Sequence, residues 1–304
     1  MRAFITGISG FIGSHVARAM VDSGYDVLGL VMSDDNLWRL TDISSKIELI
    51  EGSLENVSGI RDGLLTYQPQ VCIHLAWYAE PGKYLNSQEN LVSLQGSLDM
   101  LRGLFECGCE HFIGAGTCAE YEMKPDILYE NDRTKPETLY SAAKLSFKLI
   151  GEQIALQYGR SFSWGRIFYL YGPFEDGRRL IPLAMKAFYE GKEFPATAGE
   201  QVRDYLHVED VASAFLKMAQ VSQPGTYNIS SGLPITLREL LTQLTKVADG
   251  KLELLQFGKI PYPAWNPIYI CGDNQRLRSL GWKPKYELAG GLAQTFQWWL
   301  DQNR

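Results

Sequence analysis

Tyr140 and Lys144 stand four residues apart in "YSAAK", so on a helix both side chains leave one face, a turn apart. An ammonium beside a phenol favours the phenolate and draws its pKa down from about 10, which suits the phenol to general acid/base work near neutrality. Among 16 tyrosines such a pair arises easily by chance. Its place gives it weight: Tyr140 is the one tyrosine with a lysine four residues on, and it follows "GAGT", residues 114–117, the small-residue end of a hydrophobic run. That end presents one hydroxyl, Thr117, followed by two residues without charge, Cys118 and Ala119. A hydroxyl at a strand end either meets a ligand or satisfies a backbone group.

A second constellation opens the chain. "FITGISGFIGSH" sets Gly7, Gly10 and Gly13 three residues apart, after a strand-like run and at the start of a helical one. One glycine permits the tight turn, another lets the backbone approach a pyrophosphate, and the free N-H groups of the helix start favour an anion. At the first of several strands, this spacing points to a dinucleotide. Where an acid would meet the adenine-ribose hydroxyls, the end of the second strand shows Val31, Met32 and Ser33. With no carboxylate at the tip to repel a 2'-phosphate, NADP(H) is favoured over NAD(H), although Asp34 and Asp35 lie close and Arg39 is the nearby cation.

These residues must be carried by elements, and the pattern supplies them. "RAFITG", "DVLGLV", "IELIEG", "VCIHLA" and "HFIGAG" are apolar runs separated by helix-period segments at about 12–23 and 88–107. Strands apolar on both faces and alternating with helices predict an α/β, doubly wound parallel sheet. "LYSAAKLSFKLIGEQIALQYG" predicts a long helix, preceded by Pro136 and closed by Gly159. From about residue 172 the texture changes to "YGPFEDGRRLIP", "GKEFPATAGEQ" and "IPYPAWNP" between shorter helices. The expected division is a dinucleotide-binding domain over 1–171, with 203–230 returning to its sheet, and a smaller discontinuous substrate lobe from 172–202 and 231–304.

Composition excludes several classes. At 304 residues, 45% hydrophobic and 21% charged, the chain reads as globular. A net charge of -6 without a basic run argues against nucleic acid or an anionic membrane, and no apolar run reaches the ~18–20 residues of a spanning helix. The first strand begins by the third residue, which leaves no room for a leader and makes a cytoplasmic location the expectation. Five cysteines lack zinc-type spacing and read as reduced thiols; Cys107-Gly-Cys109 reads as helix-end packing. His15, His74, His111 and His207 are scattered, so no metal is expected.

Taken together, "TGISGFIGSH", "HLAW", "GAGTCAEY", "YSAAK", "FYLYGP", "GEQVRDYLHVEDVASAF", "YNISSG" and "LGWKP" resemble the extended short-chain dehydrogenase/reductase family, the epimerases, dehydratases and reductases of nucleotide-linked sugars. The likeness covers nearly the whole chain. It implies that Tyr140 is the general acid/base, that Lys144 holds the nicotinamide ribose and tunes Tyr140, and that Thr117 bonds the reacting sugar oxygen. The expected cofactor-binding set is Gly7, Gly10, Phe11, Ile12, Gly13, Ser53, Leu54, Leu75, Ala76 and Trp77, with Tyr140 and Lys144. The expected substrate-binding set is Tyr78, Thr117, Cys118, Tyr169, Arg178, Arg179 and Arg203, the last matching the family's diphosphate-binding arginine. A homodimer through paired helices is also implied.

Family dehydratases place an Asp-Glu pair after this hydroxyl, because removing water needs a further acid and base. Cys118 and Ala119 occupy those places, and Glu120 is expected to point away by strand alternation. The reading is therefore reduction of a nucleoside-diphosphate 4-keto-6-deoxyhexose at C4. A 4-epimerase is the alternative, weakened by Val31, by Tyr169 in place of a family asparagine, and by the absence of arginine in "PYPAWNP". A dinucleotide-binding regulator without catalysis is the remoter one.

Overall fold

The computed structural model describes residues 1–262 and 267–303. The first half runs β1 (Arg2–Thr6), α1 (Phe11–Asp22), β2 (Asp26–Val31), β3 (Glu48–Glu51), α2 (Arg61–Tyr67), β4 (Val71–His74), α3 (Glu89–Glu106), β5 (His111–Thr117) and α4 (Leu139–Tyr158). The second runs β6 (Ser161–Ile167), β7 (Tyr169–Tyr171), α5 (Leu180–Tyr189), β8 (Phe194–Pro195), β9 (Val202–His207), α6 (Val208–Val221), β10 (Gly225–Ile229), β11 (Pro234–Thr236), α7 (Leu237–Val247), β12 (Leu255–Gln256), α8 (Gln275–Ser279) and α9 (Leu288–Gln302).

Seven strands form one parallel sheet in the order β10-β6-β5-β4-β1-β2-β3, the doubly wound architecture expected from the alternating runs. Successive β1 side chains go to opposite faces. Ile5 joins a core under α1 and α6 with Val16, Met20, Val211 and Phe215, while Phe4 joins one under α3 and α4 with Leu101, Phe112, Phe147 and Trp164. Fully burying one such side chain stabilises by about 1.5–3 kcal/mol. The connection order reverses between β1 and β4, which opens a crevice at their carboxyl ends.

α4 closes where Gly159 takes a left-handed conformation, φ 62°, and it starts with the Thr138 hydroxyl accepting from Ser141 N. Gly108, φ 93°, turns the chain after α3 so that Cys109 packs inward with its thiol donating to the Gln70 and His111 carbonyls, the helix-end role expected of that pair.

The return of 203–230 takes a different form from the one expected. β10 lies beside β6 at the sheet edge and α6 packs on α1, but β9 pairs with β7 and β11 in a separate three-stranded sheet. β7 begins two residues after β6 ends, so it captures β9 at the carboxyl ends of the main strands. A third core lies among α5, α7 and α9, with Ile181, Met185, Leu240, Leu244, Leu292 and Phe296. Among the described residues no helix is long and apolar enough to cross a membrane.

Candidate active site

The glycine turn joins β1 to α1. Gly7 has φ 68°, its carbonyl accepts from Gly10 N at 3.1 Å, and a Cβ on Gly13 would collide with that same carbonyl. Phe11 and Ile12 open α1, whose first N-H groups face the turn. Across the crevice the chain after β4 is drawn in tightly: the Thr6 hydroxyl bonds His74 Nδ1 at 2.8 Å and accepts from Leu75 N at 3.2 Å and Ala76 N at 3.1 Å. His74 Nε2 meets the Ser97 hydroxyl at 2.8 Å, and burial, with the charge of Lys144, brings the ring down to about 3, so this histidine is a neutral strut. Ser53 caps the turn after β3, and Leu54 packs on the α3 side of the sheet. A glycine-lined turn before an open helix N-terminus fits the pyrophosphate of a dinucleotide.

β5 and α4 bring Thr117, Tyr140 and Lys144 together. Lys144 is buried; its Nζ donates to Ala115 O at 2.9 Å and lies 3.9 Å above the Trp77 ring. Trp77 is held by its own Nε1-H, donated to Asn90 Oδ1 at 2.9 Å, and Tyr78 N donates to the Ser93 hydroxyl at 3.2 Å. Desolvation draws Lys144 down to about 7, with the Glu120 carboxylate opposing the fall. The phenol of half-buried Tyr140 lies within electrostatic reach of Thr117, and its ring meets Tyr84 edge-on, centroids 4.9 Å apart.

The electrostatic expectation for Tyr140 is overturned. Burial pushes its phenol well above the ordinary value, with Tyr84 and Glu120 adding to the rise and Thr117 opposing it. Lys144 does not offset this, because its Nζ is directed at Ala115 O and Trp77 and stands 6.0 Å from the Tyr140 ring centroid. Tyr140 keeps its proton at neutral pH and is equipped to donate it.

The chain after Thr117 is a single 3-10 turn, Cys118–Glu120, rather than more strand. The Thr117 hydroxyl accepts from Ala119 N at 3.2 Å, while Glu120 reaches back to Thr117 N at 2.9 Å. Glu120 does point away from the crevice, but through this reciprocal cap and not through strand alternation. Its fully buried carboxylate also accepts from Trp164 Nε1 at 3.0 Å and Arg166 Nε at 2.8 Å. Gly116 is obligatory above it, since a Cβ there would run into the Trp164 indole and the Glu120 carboxylate. Burial pushes the Cys118 thiol up to about 12, so it is no acid/base.

Of the residues expected around substrate, Tyr169, Cys118 and Arg203 converge. The Arg203 guanidinium lies 5.3 Å from the Tyr169 ring centroid, and Tyr169 lies within electrostatic reach of Cys118 and Tyr84. Neighbouring Asp204 accepts from Ser231 N, Gly232 N and Gly272 N, while Arg203 Nη1 donates to Val202 O at 2.7 Å. Arg179 caps α5 with its guanidinium 6.0 Å from the Tyr84 ring, toward the site. Arg178 is not brought in: it is exposed and bridges Asp176 at 2.6 Å and Glu80 at 2.7 Å on the rim. "PYPAWNP" has its residues 263–266 outside those described.

Sequence reasoning missed Tyr84, which opens a single 3-10 turn, Tyr84–Asn86, too short to show a period. It also misjudged the strand tip. The NADP(H) expectation assumed no carboxylate there, yet a turn after β2 carries Asp35 back onto it, where Oδ2 accepts from Met32 N at 3.0 Å and from the Ser9 hydroxyl at 2.8 Å.

The profile of the NAD dependent epimerase/dehydratase family matches residues 3–230. The chain belongs to this family. It is an enzyme of the epimerase/dehydratase type. It is 24% identical to the CDP-abequose synthase of Salmonella typhimurium over 310 residues, covering 96% of each chain. It is 25% identical to the UDP-glucuronate 4-epimerase of Thermodesulfobacterium geofontis over 315 residues, 97% of this chain and 94% of that one. The crystal structure of UDP-glucose 4-epimerase from Thermotoga maritima, with UDP-glucose, superposes with a TM-score of 0.90 at 25% identity over the full length of both chains.

Proposed function

We propose that this family member reduces a 4-keto-6-deoxyhexose linked to a nucleoside diphosphate. The observation that carries the reading is that β5 and α4 bring the Tyr140 phenol to Thr117 beside a turn whose next two residues offer only a thiol and a methyl. The nicotinamide cofactor supplies the hydride when bound. Tyr140 gives its proton to the carbonyl oxygen, and the Thr117 hydroxyl, whose oxygen already accepts from Ala119 N, donates a hydrogen bond to that same atom and keeps its proton. Lys144, fixed by Ala115 O, lies one turn along α4 where it can hold the nicotinamide ribose. Arg203, 5.3 Å from the Tyr169 ring centroid, and Arg179, 6.0 Å from that of Tyr84, would pair with the diphosphate.

A 4-epimerase is the second reading, favoured by relatives with that activity and by Asp35 at the strand tip, which supplies the acid thought to be missing. Incubation of the protein with NADH or NADPH and a panel of UDP-, dTDP-, CDP- and GDP-linked 4-keto-6-deoxy sugars, and separately with NAD and UDP-glucose, separates the two. Net loss of nicotinamide absorbance supports reduction, whereas interconversion of UDP-glucose and UDP-galactose with no net absorbance change supports epimerisation and refutes reduction.

A homodimer fits the outward faces of α3 and α4, which expose Leu91, Val92, Leu149, Ile150 and Leu156. Five buried, unpaired thiols suit a reducing compartment such as the cytoplasm.

A further inference from the structure

A cavity of about 200 Å³ lies between the loop that follows β7 and helices α5 and α9. Pro182 and Met185 of α5 and Trp298 and Trp299 of α9 give it apolar and aromatic walls, and Glu175 contributes a carboxyl group. None of its lining residues belongs to the expected cofactor or substrate sets. We propose that this cavity binds a small organic cation, an ammonium group on an apolar body, with Glu175 as its counter-ion and the two indoles as its walls. The carboxyl group is what points to a ligand. Its Oε2 is buried and has no hydrogen-bond partner among the described residues. A buried polar atom left in that state costs stability unless something outside the chain meets it. Burial pushes the group up to about 8, with the Arg179 charge opposing the rise and Asp176 adding to it.

The loop is pinned on both sides of the cavity. His15 Nε2 donates to the Pro173 carbonyl at 2.9 Å, and Arg39 Nε donates to the Phe174 carbonyl at 3.0 Å. Phe174 takes φ 73°, a left-handed conformation that strains an aromatic residue and is of the kind that gathers at ligand sites. The walls are fixed as well: Trp298 is T-shaped to Phe174 with centroids 5.2 Å apart, and Trp299 stacks on Phe296 at 6.1 Å. The other polar side chains of the lining are committed within the chain, since the Thr295 hydroxyl donates to Gly291 O and Asn303 Nδ2 donates to Trp299 O, both at 2.7 Å. A carboxylate only accepts, and an indole face attracts positive charge, so together they select a cationic donor over an anion. A metal ion is not matched, because among the described residues no three His, Cys, Asp or Glu side chains are grouped to hold one. Gly177 and Asn303 are exposed, so the cavity reaches the surface.

This site is independent of the reduction, and its test needs neither cofactor nor sugar. Benzylammonium and its neutral counterpart benzyl alcohol are titrated into the full chain and followed by isothermal calorimetry; the size suits the volume, since a cavity of about 150 Å³ holds benzene. At about pH 8.5 the ammonium is expected to bind at least about tenfold more tightly than the alcohol, and to lose about tenfold in affinity by about pH 6.5 as Glu175 takes up its proton. Arg179 and Asp176 of the same loop and Tyr205 of β9 lie within electrostatic reach of Glu175, while α5 and α9 add no charged group to the lining. Asp176 is held low by its hydrogen bond with Arg178 and Tyr205 is pushed up by burial, so the pH dependence in this interval is that of Glu175. Glu175→Gln keeps the size and removes the charge; it should cost about tenfold in ammonium affinity at the higher pH and erase the pH dependence. Failure of benzylammonium to bind folded wild type, equal affinity for ammonium and alcohol, or a folded Glu175→Gln protein that binds the ammonium as wild type does, overturns the assignment. An affinity unchanged between the two pH values in wild type overturns it without recourse to any variant.

Discussion

Alanine at position 120 would strand Arg166, whose side chain is 3% exposed and whose Nε has the Glu120 carboxylate as its partner. The same change deprives Trp164 Nε1 and Thr117 N of their acceptor, both in the same buried network. An uncompensated buried charge costs about 3–5 kcal/mol, and each orphaned donor about 1–3 kcal/mol more. The terms share one carboxylate and do not add fully. Arg166 also keeps its bond to Glu130 O and its place 4.2 Å from the Tyr121 ring centroid. The net expectation for Glu120→Ala is a loss of about 4–6 kcal/mol, a large share of the ~5–15 kcal/mol typical of a whole domain. Urea unfolding followed by tryptophan fluorescence measures it. Glu120→Gln should cost less, since its amide oxygen still serves Thr117 N, and Glu120→Gln with Arg166→Met should recover part of the loss by removing the unpaired cation. A loss below about 1 kcal/mol in Glu120→Ala would show that this carboxylate does not hold the floor of the site and would refute the reasoning.

Tyr140→Phe should lower turnover by about 10²–10⁴-fold while NADH still binds by tryptophan-to-nicotinamide energy transfer; near-normal turnover removes the phenol from the mechanism. Lys144 titrates near 7 in the folded protein and near 10 when unfolded, so the unfolded chain binds more protons across that window and stability should rise with pH through it. Urea midpoints at pH 7 and pH 9 test this: the rise should vanish in Lys144→Met, which should also be at least as stable as wild type at pH 7 yet inactive. Leu156→Glu places a charge on the exposed α4 face and should convert a dimer to monomer by light scattering.

The readable parts of this protein were those whose chemistry is local in sequence. The spacing of Gly7, Gly10 and Gly13 dictates a turn wherever it falls between a strand and a helix, and the four-residue interval from Tyr140 to Lys144 dictates a shared helix face. Gly159 announces the end of α4 because its left-handed conformation suits glycine. The parts that escaped depend on where the chain goes next. Asp35 stands four residues past the strand tip and returns only because a turn reverses the backbone there. Glu120 turns away as expected, but through a 3-10 turn anchored by Trp164 and Arg166, more than 40 residues on. The proton affinity of Tyr140 was misjudged because spacing places an ammonium near a phenol without revealing that Ala115 O and Trp77 claim it. β9 reads as a sheet strand in isolation, and only the start of β7 at the end of β6 diverts it into a second sheet.

The central claim is that Thr117, Tyr140 and Lys144 deliver a net reduction at a sugar carbonyl. Nicotinamide deuterated at C4 and a nucleotide-linked 4-keto-6-deoxy sugar, analysed by mass spectrometry and NMR, test it most directly. The account predicts one deuterium at C4 of the product and one cofactor oxidised for each sugar formed. Product without deuterium, or no product formed and no cofactor oxidised, would contradict it.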